Sequence, residues 1–112
     1  MKTISVRLRV YVGTELTLGP GRIELLERIE RTGSLASAAR AMAMSYRRAW
    51  LLMRSLNAAL DTPALVSVKG GRHGGGASVT AAGKLLVRAY RLAEEDCLRR
   101  VRRSLGKFMR RA

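Results

Sequence analysis

Residues 33–50 read GSLASAARAMAMSYRRAW, and two serines in that stretch decide how the chain folds. Ser34 and Ser45 each precede a run that can continue as a helix, and a serine hydroxyl readily accepts from the orphan amides of a first helical turn. The expectation is a short helix over 34–42, a tight turn, and a second helix over 45–60. In the second helix Ala49, Leu52, Met53, Leu56 and Leu60 recur at spacings of three and four. The small residues Ala36, Ala38, Ala39, Ala41 and Ala43 let the first helix approach a neighbour closely. Asp61 and Pro63 close the second.

Upstream, Ile23, Leu25, Leu26 and Ile29 predict a helix over 20–32, started by Gly19, Pro20 and Gly21 and stopped by Thr32 and Gly33. Before it, Ile4, Val6, Leu8, Val10 and Val12 alternate with polar residues or Tyr11, the period-two pattern of a half-buried strand. Downstream, Leu65, Val66 and Val68, then KGGRHGGGAS, then Val79 predict a two-stranded ribbon with a glycine-rich tip. Thr80 caps a last helix whose stripe of Leu86, Tyr90, Ala93, Cys97, Val101, Leu105 and Phe108 extends almost to the C-terminus. Strand, helix, helix, tight turn, helix, ribbon, helix is the order of a winged helix-turn-helix, whose second motif helix enters the DNA major groove. The fold expected is mainly α with a small β component, comprising an N-terminal strand, a two-stranded Gly-rich wing and a long C-terminal helix. Residues 1–84 form the winged helix-turn-helix, and 85–112 a dimerisation helix with a basic tail in the same structural unit.

The charge balance points the same way. Among 112 residues, 22 Lys and Arg face 8 Asp and Glu, for a net charge of +14, which calls for a polyanionic partner. Nucleic acid fits best, and double-stranded DNA is the expected partner. A membrane surface fits less well, because only five residues are Phe, Trp or Tyr and no apolar run approaches a spanning length. Arg7 and Arg9 interrupt what would be a signal peptide's apolar region, so a cytoplasmic, nucleoid-associated protein is expected. The single Cys97 makes no internal disulfide.

The DNA-contacting candidates are Ser34, Ser45, Tyr46, Arg47, Arg48, Trp50 and Arg54, with Lys69, Arg72 and His73 at the wing tip. Tyr46, Arg47, Trp50 and Arg54 share a face of their helix turned away from Ala49, Met53 and Leu56. An arginine fork there can bond guanine O6 and N7 or grip a phosphate. Trp50 has two open readings, a core residue or a groove contact, and one ring edge can serve each. Gly70 and Gly75 have the spacing of a nucleotide-binding loop's end glycines, but Gly76 and Ala77 occupy the positions that need Lys and Ser or Thr. No enzyme, metal site or cofactor is expected. His73 is the only histidine, in a glycine-rich loop; Cys97 lies on an apolar stripe; and Glu94, Glu95 and Asp96 suit pairing with nearby arginines. The last helix's seam, led by Leu86, Tyr90, Ala93, Cys97 and Val101, is the expected homodimer interface.

From about 19 to 90 the sequence resembles the N-terminal DNA-binding domain of the ModE-type molybdate-responsive transcriptional regulators, themselves similar to the LysR-type winged helix-turn-helix. The resemblance is carried by Gly33 and Ser34, the AAR at 38–40, the MSYRRAW block at 44–50 and the LTPxG-like VTAAG at 79–83. It implies that MSYRRAW opens the recognition helix, that the Gly-rich ribbon is the wing, and that the protein is a homodimer on a two-fold symmetric operator. Molybdate binding is not expected in this chain. The competing readings are a non-specific architectural DNA- or RNA-binding basic protein, and a DNA-binding subunit of a larger regulatory assembly.

Overall fold

The computed structural model describes residues 3–68 and 76–110, and local sequence signals account for most of its elements. α1 (Pro20–Thr32) begins at the proline and ends where Gly33 takes a left-handed φ of 69° and donates its amide to the Ile29 carbonyl at 2.7 Å. α2 (Leu35–Ala41) is capped by Ser34, whose Oγ accepts from the Ser37 amide at 3.0 Å. α3 (Tyr46–Ala58) is capped in the same way by Ser45, which accepts from the Arg48 amide at 3.1 Å. Thr80 caps α4 (Ala81–Leu105), which a short 3₁₀ turn at Gly106–Phe108 follows. Helix α4 runs without a break across position 84.

Two antiparallel pairs complete the chain. β1 (Val10–Val12) pairs with β2 (Glu15–Leu18), and β3 (Leu65–Val68) pairs with β4 (Gly76–Val79) in the register Leu65 to Val79. The first pair revises the expectation of one strand over 4–12. The chain turns at Gly13 and Thr14, with Gly13 at φ 65° in the first turn position, as a II′ hairpin requires. Before Val10 the backbone stays extended but belongs to no strand. Its period-two pattern still holds in burial, since Ile4, Val6 and Leu8 are half-buried while Ser5, Arg7 and Arg9 are exposed. What covers the apolar side is helical: the Tyr90 hydroxyl on α4 donates to the Leu8 carbonyl at 2.5 Å, and the Ile4 side chain reaches Gly106.

The core gathers Ile23, Leu25, Leu26 and Ile29 from α1, Leu35, Ala38 and Ala39 from α2, and Ala49, Met53 and Leu56 from α3, with Ala64 and Val79 beside them. Ala38 and Ala39 are the small residues that bring α2 in close; Ala36, Ala41 and Ala43 face outward. Gly83 explains the glycine of VTAAG. A Cβ there would collide with the Ala64 carbonyl and lie 2.8 Å from Val79 Cγ1. The first turn of α4 therefore rests on the chain entering the wing, and Thr80 locks it by donating to the Pro63 carbonyl at 2.6 Å while accepting from Gly83. Arg91 joins α4 to α1 through a two-pronged contact with Glu27, at 2.6 and 3.0 Å, and also binds Glu94 at 2.6 Å.

Candidate nucleic-acid interface

The rotation of α3 follows from its burial. With Ala49, Met53 and Leu56 turned into the core, the other residues of the helix divide between two flanks. Tyr46, Trp50 and Arg54 face the wing; Arg47, Arg48, Leu51 and Ser55 line the opposite side. Arg47 borders one depression and Tyr46, Trp50 and Arg54 the other, on neighbouring rows of the same outward side.

The wing-side flank borders a groove of about 850 Å³. Ser34, Leu35 and Ala36 from the start of α2 line it, as do Val66 and Val68 from β3. Tyr46 is 57% exposed and Trp50 41%. The indole lines the groove together with buried Met53 and carries the Arg54 guanidinium 5.2 Å from its ring centroid. Stacked in this way, Arg54 keeps its charge directed while its donors stay available. Ser34 and Ser45 each accept one capping bond and retain a hydroxyl proton to donate.

The far flank borders a shallower depression of about 350 Å³. Arg22 of α1 adds a third guanidinium beside Arg47 and Arg48, with Leu51, Leu52 and Ser55 completing the lining. Its Nε is buried with no hydrogen-bond partner among the described residues. Arg22 was not foreseen, since its place depends on how α1 crosses α3. Leu51 was readable: Ala49, Met53 and Leu56 leave it out of phase with the core stripe.

Asn57 was also missed, and it aligns the wing with the helix. Its Oδ1 accepts from the Ala64 and Leu65 amides at 2.8 and 3.3 Å, and its Nδ2 donates to the Leu65 carbonyl at 2.8 Å. On the other side of the wing, the Ala77 amide donates to the Gly33 carbonyl at 3.2 Å. Lys69, Arg72 and His73 lie outside the described residues.

Of the expected dimer seam, Tyr90 is buried within its own chain, and Leu86, Cys97 and Val101 are half-buried. Ala93 is exposed. Leu85 and Leu92, which the seam did not include, are 65% and 54% exposed. Glu94 pairs with Arg91, and Asp96 with Arg99. Among the described residues, no group of three or more His, Cys, Asp or Glu side chains could hold a metal ion, and no helix is long and apolar enough to cross a membrane.

Residues 21–84 match the bacterial regulatory helix-turn-helix proteins of the lysR family. The chain is 43% identical to the molybdenum transport protein ModE of Azotobacter vinelandii over 83 residues, 74% of this chain and 30% of that protein. It is 42% identical to the molybdenum-pterin-binding protein MopB of Rhodobacter capsulatus over 77 residues, 69% of this chain and 28% of that one. Against the transcriptional regulator ModE of Haemophilus influenzae the identity is 32% over 94 residues, 84% of this chain and 37% of that regulator. The chain thus spans about a third of the length of these curated relatives.

Proposed function

Because the chain belongs to the lysR family of bacterial regulatory helix-turn-helix proteins, we propose that it is a sequence-specific transcriptional regulator. It grips an operator as a homodimer, with α3 in the major groove and the 69–77 wing beside it. The observation that carries this reading is the outward side of α3. Its capped start presents Tyr46, Arg47 and Arg48 to solvent, its core stripe fixes their direction, and Asn57 holds the wing strand in register with them. The net charge of +14 supplies the sequence-independent attraction.

Selection of bound duplexes from a random-sequence pool tests it. A two-fold symmetric site should emerge and survive competition by a large excess of random DNA; uniform binding to all sequences would overturn specificity. At the selected site Arg47→Ala should cost about 1 to 3 kcal/mol and relax preference at one position. Replacing Lys69 and Arg72 together by Ala should lower the slope of log affinity against log salt by up to about 2.

We place the dimer along α4. Leu85, Leu92 and Ala93 support this, because they leave apolar surface uncovered on a helix whose inner side is already occupied. Sedimentation of wild type, Leu92→Asp and Ala93→Asp at micromolar concentration decides it. A dimer that becomes monomeric in both variants is expected; a wild-type monomer, or a dimer indifferent to both charges, would exclude α4.

A further inference from the structure

Leu51 occupies an unusual place for a leucine. It is 45% exposed, in the middle of α3. At 100° per residue it lies about 160° around the helix from both Ala49 and Met53, so it points almost directly away from the core. One turn earlier on the same row stands Arg47 and one turn later Ser55, and all three line the depression that Arg22 and Arg48 also border. A lone exposed leucine on an ordinary surface would need no account. This one is an isobutyl group among guanidiniums, on a face whose charge selects a polyanion.

That partner's chemistry limits what the leucine can touch. Phosphates offer the arginines their contacts and give an apolar side chain nothing, and the sugars lie along the groove walls, away from a side chain that points outward from the middle of the helix. In the floor of the major groove, the apolar group presented is the C5-methyl of thymine. We propose that Leu51 packs against a thymine methyl and makes one position of each half-site thymine-specific, between the bases or phosphates held by Arg47 and by Ser55. The inference rests on α3 being the groove-entering helix of the function proposed above.

Replacing thymine by uracil removes that methyl and nothing else. In the duplex selected by the wild-type protein, each thymine is replaced in turn by deoxyuridine, and the affinities of the full chain and of Leu51→Ala are measured. One thymine per half-site should cost the wild type about fourfold, the factor expected for one buried methyl group, and cost Leu51→Ala nothing. A second variant, Leu51→Gln, can bond adenine N6 and N7; repeating the selection with it should move the preference at that same position from thymine to adenine. Deoxyuridine penalties identical in wild type and Leu51→Ala, with no change of preference in Leu51→Gln, would overturn the inference while leaving specific binding intact. Failure of the wild type to select any sequence would overturn both readings.

Discussion

Ala43 sits at φ 55° in the turn between α2 and α3, the single non-glycine residue with positive φ among the described residues. An L-residue there brings its Cβ too close to the following carbonyl, at about 1 to 2 kcal/mol. Glycine removes that clash but adds freedom to the unfolded chain, which offsets about 0.4 to 1 kcal/mol. Ala43→Gly should therefore stabilise the fold by about 0.5 to 1 kcal/mol and raise the melting midpoint by about 3 °C. DNA affinity should not change, since Ala43 borders neither depression of α3. A lower midpoint would mean that the methyl group makes contacts worth more than the backbone strain. The same turn shows what a sequence conveys at this scale. The caps Ser34, Ser45 and Thr80 were legible because each bonds an amide three residues on. The left-handed alanine was not, because composition there suggested only a tight turn.

Between elements, the Asn57 side chain couples α3 to the wing. Asn57→Ala would leave the Ala64 and Leu65 amides and the Leu65 carbonyl without their partner, a loss of about 2 to 3 kcal/mol. Chemical denaturation should show it, while the helical circular dichroism of the folded state stays unchanged. Asn57→Asp keeps the acceptor and should recover part of the loss; if both variants are as stable as wild type, the wing is held elsewhere. Helix boundaries were readable from caps and breakers, the wing's two strands from the apolar residues on either side of its glycines, and the buried stripe of α3 from spacing. The β1–β2 hairpin was hidden because the apolar alternation of 4–12 runs straight into it, and only Gly13 marks the turn. Asn57 and Arg22 were hidden for a different reason: their contacts depend on where α3 meets the wing and where α1 crosses α3, which no local pattern encodes.

At the scale of the whole molecule, 54 × 30 × 24 Å, α4 is secured to the domain by Arg91 and Tyr90. The hydrogen-bonded Arg91 guanidinium holds the Glu27 carboxyl below its ordinary range, and burial pushes the Tyr90 phenol up. A carboxyl lowered on folding stabilises the native state above its unfolded pKa, and this contribution disappears as pH falls through the folded value. Both side chains of the Glu27–Arg91 pair are about a third exposed, so solvent limits its worth. Glu27→Gln should cost about 0.5 to 1 kcal/mol at neutral pH and progressively less as the pH falls toward 3. Urea midpoints of the two proteins at both pH values check this, and a gap undiminished in acid would assign the effect to packing. The Tyr90 hydroxyl reaches back 82 positions to the Leu8 carbonyl. At a translation rate of about 5 to 20 residues per second, the N-terminal arm leaves the ribosome roughly 4 to 16 s before the helix that will cover it. Through that interval Ile4, Val6 and Leu8 form a nascent apolar edge with no native partner, and Arg7 and Arg9 on the alternate positions act as gatekeepers against its self-association.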